Sequence, residues 1–229
     1  MANKNLFDIV NESGTRIKTG VALIIAVLII GLIDSFFIMW LLFGGLLLVA
    51  ISEAMELFDN NNKDIYIYAG AIWLIAGFYP KPEDLFFLLA VVFASILAYT
   101  KKLDKELFLP LLYPTASFLF LLSLYASFGV ESLLWLLVVV AGADTGAYFV
   151  GKKFGQTQFC ETSPNKTLEG VAGGIVVATI LGLIFSISQV SFFEAIIISA
   201  LVALASVFGD LFESYLKREA GVKDSGDIL

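Results

Sequence analysis

Asp210, Glu213, Ser214 and Lys217 stand at i, i+3, i+4 and i+7, with Arg218 beside them, where the apolar run from Ala195 to Phe208 gives way to charge. On a continuing helix this spacing places them on one face. A face that is acidic at membrane depth and basic one or two turns later suits a metal–phosphate complex. Carboxylate oxygens take a hard divalent cation such as Mg²⁺, and the cations take phosphate oxygens. A basic cluster beside a membrane can also serve only to fix orientation or to touch anionic lipid. Asp210, inside the apolar run, is the residue that this simpler reading does not require. Gly221 is placed to end the helix, after which Lys223 and Asp224 fold back in a loop.

A second stretch, Gly142–Gly174, carries the other candidates. Asp144 lies near the end of an apolar helix, where a carboxylate is expensive without a partner or a metal, although from there it also reaches the headgroup region. Glycines at 142, 146, 151 and 155 permit close approach of helices or of phosphates. The loop Ser163-Pro-Asn-Lys-Thr167, followed by Glu169-Gly170, offers two hydroxyls and Lys166 just before a helix start. Free N–H groups and the helix dipole favour an anion there. Thr167 followed by an acid in the first turn also describes an ordinary N-cap, and spacing alone does not choose between the two.

The elements that must position these residues are membrane helices. The chain has 229 residues, 59% of them hydrophobic and 15% charged, with a mean hydropathy of +0.91. A soluble domain of this length cannot bury so much apolar surface. The fold class expected is all-α, a polytopic integral membrane protein with about eight transmembrane segments: 16–33, 36–58, 65–79, 85–100, 107–128, 131–150, 168–188 and 192–216. Several fall short of about 20 residues, so snorkelling ends such as Arg16 and Lys18 make up the length. The weakest break is Asp34-Ser35. With the N-terminus cytoplasmic, all but one (Lys81) of the 14 lysines and arginines fall on the cytoplasmic side, the asymmetry of the positive-inside rule. Both polar stretches then emerge into the cytoplasm, where nucleotides are available.

A net charge of −7 argues against a nucleic-acid partner. With no histidine, His-dependent hydrolases and His-ligated metals are excluded, and the lone Cys160 forms no internal disulfide. The N-terminal stretch lacks the apolar core of a removable signal peptide. Glu131 and Glu194 read as solvated loop charges, and Trp40, Trp73 and Trp135 as interface anchors or packing.

The C-terminal stretch resembles the signature of the integral-membrane phosphatidate cytidylyltransferases, or CDP-diacylglycerol synthases. It reads Ser214-Tyr-Leu-Lys217-Arg218-Glu-Ala-Gly-Val-Lys223-Asp224-Ser-Gly226, with Gly209-Asp210-x-x-Glu213 upstream. The family's earlier block is similar to Asp144-Thr145-x-Ala147-Tyr148-x-x-Gly151 and Ser163-Pro164-x-Lys166-Thr167-x-Glu169-Gly170. Fainter echoes are Arg16-Ile-Lys-Thr-Gly20 and Glu53. The family's signature continues into a Pro-Gly-His-Gly-Gly run, further acids and a ninth helix, so the expectation is a chain cut short at Leu229.

The resemblance implies N-terminal membrane helices over 1–140 and a catalytic membrane region over 141–229. It implies transfer of CMP from CTP to phosphatidate, giving CDP-diacylglycerol and pyrophosphate. It also implies Mg²⁺, with a monovalent cation as a candidate second ion, a bilayer of the bacterial inner-membrane type, no nucleic acid, and a candidate homodimer. Asp210 is expected to hold the metal, with Asp144 as a second carboxylate. Lys166, Lys217, Arg218 and Lys223 are expected to contact triphosphate or lipid phosphate. Ser163, Thr167 and Ser214 would add hydrogen bonds, and Asp224 would orient Lys223 or recognise cytidine. Two alternatives stand beside this reading: a CTP-dependent transferase or kinase acting on another lipid, and an ion-coupled transporter using Asp144 and Asp210. The basic cluster suits phosphate better than Na⁺ or H⁺.

Overall fold

The structure is a computed structural model that describes residues 31–103, 105–188 and 190–222. Most of the first expected segment, including Arg16 and Lys18, lies outside the described residues, as do Lys223 and Asp224. The described residues up to Leu42 belong to one compact unit and those from Phe43 onward to another. In the smaller unit, Asp34 adopts a left-handed φ of 43°, so the Asp34-Ser35 break separates residues 31–33 from the helix that follows. Phe37 and Trp40 stack there with ring centroids 6.0 Å apart.

The helices are α1 (Phe36–Leu57), α2 (Asp64–Ala76), α3 (Asp84–Thr100), α4 (Phe108–Phe154), α5 (Leu168–Ile184) and α6 (Phe192–Glu219), with a 3₁₀ turn at Lys105–Leu107. Among the described residues there is no strand, only an isolated antiparallel bridge between Gln158 and Thr167. The chain is all-α. By length and composition α1, α4 and α6 suffice to cross a membrane, and α2, α3 and α5 are shorter apolar helices. Large apolar side chains such as Ile67, Leu74, Val91, Ile197 and Leu201 point outward, as they do when the surrounding medium is hydrocarbon.

Helix α4 is broken at Gly129, whose φ of 73° and ψ of −174° are not helical. Ser132 Oγ donates to the Gly129 carbonyl at 2.7 Å and contacts the Leu124 carbonyl at 3.2 Å. Residues eight apart on a straight helix are separated by about 12 Å along the axis, so the chain bends sharply here. The break falls where the sequence divides segments 107–128 and 131–150.

The core that supports the site lies between the second limb of α4 and the helices α5 and α6. Trp135, Val139, Ala143, Ala178, Ile187, Ala195 and Ala203 cluster there. Trp135, expected as an interface anchor or packing residue, is buried, and its Nε1–H donates to the Gly182 carbonyl at 2.7 Å. That carbonyl lies in the last turn of α5, where it has no partner within the helix. Glu194 is exposed, as expected, but it lies in the first turn of α6 and not in a loop, and there it forms a capping box with Ser191.

Candidate active site

Small residues bring α5 against the second limb of α4. A Cβ at Gly146 would stand 3.1 Å from Gly174 Cα, and one at Gly170 would stand 2.9 Å from the Ala147 carbonyl oxygen and 3.1 Å from Gly151 Cα. Gly170, Gly174, Ala178 and Gly182 recur every four residues along α5, which is the small-residue stripe that lets membrane helices approach closely. Of the two roles open to the glycines of α4, helix approach is the one seen at Gly142 and Gly146.

The loop that follows α4 is fixed by its ends. Thr167 caps α5, its Oγ1 accepting from Gly170 N at 3.1 Å, and a Cβ at Gly155 would meet that hydroxyl oxygen at 2.7 Å. Between these points the backbone forms a minimal ribbon. Phe159 N donates to the Lys166 carbonyl at 2.8 Å, and Leu168 N donates to the Thr157 carbonyl at 2.9 Å. Lys166 N closes a turn onto the Ser163 carbonyl at 3.1 Å. Glu169 accepts from Gln156 N at 3.1 Å and from Thr157 N at 3.2 Å. Thr167 is therefore an N-cap, and its hydroxyl proton is left to donate elsewhere.

Around this loop lies a cavity of about 460 Å³. Asp144, Tyr148 and Lys152 line it from α4, Ser163, Lys166 and Thr167 from the loop, and Asp210 from α6. The Lys166 ammonium is ion-paired with the Asp210 carboxylate, 44 residues away in sequence. Their side chains are 29% and 48% exposed. A pair this open to water contributes little to stability, so either partner can exchange its neighbour at low cost. Lys152 Nζ lies 5.5 Å from the centroid of the Tyr148 ring. One open cavity thus holds two carboxylates, two ammonium groups and three hydroxyls. Mg²⁺ is commonly bound through one or two carboxylates, with phosphates and water completing its shell, and Asp144 and Asp210 are the carboxylates that line this cavity. Among the described residues no three acidic, Cys or His side chains gather in a metal-binding group.

Five of the expected residues, Asp144, Ser163, Lys166, Thr167 and Asp210, come together here. Ser214, Lys217 and Arg218 do not line this cavity. Lys217 is ion-paired with Glu213 at 2.5 Å, and Glu213 lines a separate cavity of about 220 Å³ with Glu53, Tyr113 and Ser117. The face that spacing assigned to one site is divided between two. Tyr148, Lys152 and Asn165 line the main cavity although none was named as a candidate, Tyr148 and Asn165 having appeared only inside the quoted motifs. For the first two a signal was present: Asp144, Tyr148 and Lys152 stand at i, i+4 and i+8, one face of a helix.

The sequence profile of the cytidylyltransferase family matches residues 14–229. The chain is similar to phosphatidate cytidylyltransferase of Helicobacter pylori strain 26695, with 44% identity over 218 residues, covering 94% of this chain and 82% of that protein. It is also similar to the phosphatidate cytidylyltransferases of Thermotoga maritima (36% identity; 65% of this chain, 60% of that protein) and Bacillus subtilis (42% identity; 44% and 39%).

Proposed function

We propose, from the premise that this chain belongs to the cytidylyltransferase family, that it transfers CMP from CTP to phosphatidate, forming CDP-diacylglycerol and pyrophosphate. The observation that carries the site assignment is the Lys166–Asp210 pair in a cavity that Asp144 also lines.

A phosphatidate oxygen attacks the α-phosphorus of CTP. A new P–O bond forms as the bond to the bridging oxygen of the β-phosphate breaks, and pyrophosphate leaves. The attacking phosphate is already anionic near neutral pH, so no strong general base is needed. The difficulty lies in bringing two polyanions together, and stabilisation of charge is the largest contribution a site of this kind makes. Lys166 turns from Asp210 to a phosphate oxygen, and Lys152 adds a second cation at the cavity wall. Thr167 and Ser163 donate hydroxyl hydrogen bonds. Asp144 and Asp210 would hold Mg²⁺, which would supply charge neutralisation on the nucleotide phosphates. Lys217 and Arg218 add positive charge on α6 beyond the cavity lining, and Lys223, outside the described residues, is a further candidate cation for the same anions.

The cavity faces the cytoplasm of a bacterial-type inner membrane in this reading, because its lysines belong to the side that carries all but one of the basic residues. Each limb of α4 is on the order of 30 Å long at about 1.5 Å per residue, enough for a hydrocarbon core of about 30 Å. That supports counting the limbs as separate crossings within the eight.

The test is incorporation of label from CTP into lipid by the purified protein, with phosphatidate and Mg²⁺ added or withheld. Label should enter lipid only when both are present. Asp210→Asn should lower turnover by roughly 10²–10³, the scale of losing one group that stabilises transition-state charge. Label incorporated without phosphatidate would overturn the substrate, and near-normal turnover in Asp210→Asn would overturn the role of that carboxylate.

A further inference from the structure

Lys166 sits in a loop, yet the proposed chemistry needs its ammonium held at one place. What fixes it is a chain of contacts that begins outside the cavity. The Lys166 carbonyl accepts from Phe159 N at 2.8 Å, which ties the residue to the segment 156–159 across the ribbon. The start of that segment is held in turn by Glu169, whose carboxylate accepts from Gln156 N and Thr157 N at 3.1 and 3.2 Å. Glu169 does not line the cavity itself. An acid in the first turn of a helix is favourable simply through the helix dipole, but that role does not require reaching amides 12 and 13 residues earlier in the chain.

We infer that Glu169 is a positioning residue for the transfer reaction: by receiving the Gln156 and Thr157 amides it anchors the ribbon that carries Lys166, and so sets where the ammonium meets phosphate. The inference rests on the functional reading above. Two backbone N–H groups converge on one carboxylate, and hydrogen bonds to an ionised acceptor are the stronger kind. Without Glu169 the segment 156–159 keeps its ribbon bonds to 166–168 but loses the two contacts that brace its start against the first turn of α5. The ribbon is then held only through its bonds to 166–168, and Lys166 shifts with it.

Glu169→Ala, Glu169→Gln, Lys166→Ala and the Glu169→Ala/Lys166→Ala double variant should be compared with wild type in lipid–detergent micelles. The measurements are CMP transfer, melting temperature and amide hydrogen exchange at residues 156 and 157. Glu169→Ala should lower kcat/KM for CTP by about 10²-fold, the scale of a group misplaced by about 1 Å, with only a small fall in melting temperature. Glu169→Gln, which keeps an oxygen acceptor, should recover most of that loss. In the Lys166→Ala background, Glu169→Ala should add almost nothing, because two residues acting through one contact chain are not additive. Exchange at 156 and 157 should rise in Glu169→Ala alone among the single variants. Full additivity, a Gln variant as poor as Ala, or unchanged exchange would each overturn the inference. If wild type moves no label from CTP, the functional reading fails, and the exchange of those two amides decides the anchor by itself.

Discussion

Gly174 is where helix packing and the proposed chemistry meet, so adding one methyl group there should be felt in both. A Cβ at this position would stand 3.0 Å from Ala147 Cβ and 3.1 Å from Ala147 N, and would also press on the Ala143 carbonyl oxygen. Restoring 3.0 Å to an ordinary 3.4 Å contact asks for 0.4 Å from the Ala147 pair alone, and the carbonyl asks for more. Because part of the obstruction is backbone, no rotamer change relieves it, and α5 must move away from α4. Overpacking of this kind costs about 1–3 kcal/mol. The same movement draws Thr167 and Lys166 away from Asp144 on α4, and displacement approaching 1 Å costs about 10²-fold in rate. Gly45 of α1 is the control, since a Cβ there meets nothing within 4 Å. Alanine at an open helical position stabilises by about 0.5–1 kcal/mol. Melting in lipid–detergent micelles, together with kcat/KM for CTP, should show Gly174→Ala falling in both and Gly45→Ala falling in neither. A Gly174→Ala protein that melts at or above the wild-type temperature with unchanged kcat/KM would refute the close-packing argument.

Trp135→Phe keeps the aromatic bulk but leaves the Gly182 carbonyl without its donor. Stability should drop by about 1–3 kcal/mol, with turnover per folded molecule unaltered, as seen by melting and by activity normalised to folded protein; no change in melting would count against the cap. Thr167→Ala should lose about 1 kcal/mol of capping energy as well as a hydroxyl at the cavity. Thr167→Ser should restore the stability, and a serine variant melting with the alanine one would show that the cap is not what holds this helix start.

Much of the fold is legible in hydropathy, because long apolar runs in a chain this poor in charge have only helices available to them. Even the interruption at Gly129 shows in the sequence, since Gly-Val-Glu breaks an otherwise continuous apolar stretch. The site is legible as a set of residue types and only partly as an arrangement. Asp144, the Ser163–Thr167 loop and Asp210 meet in one cavity, yet the contact between Lys166 and Asp210 spans 44 residues, and no local spacing encodes it. The helical argument for Asp210 and Glu213 was correct about the arc they occupy. It could not show that α6 has different neighbours on its two flanks, with the α4–α5 loop on one and α1 with the first limb of α4 on the other. Glu169 was visible as a first-turn acid, but its partners are backbone amides, which carry no sequence signature.

That division of α6 has a mechanical consequence. Asp210 and Glu213 are three residues apart on one rigid rod, and each looks into a different chamber. The rod is a shared wall: sliding it by a single residue moves the Asp210 and Glu213 positions by about 1.5 Å together. A substitution in the Glu53–Tyr113–Glu213 chamber that displaces α6 would therefore move Asp210 without ever touching it.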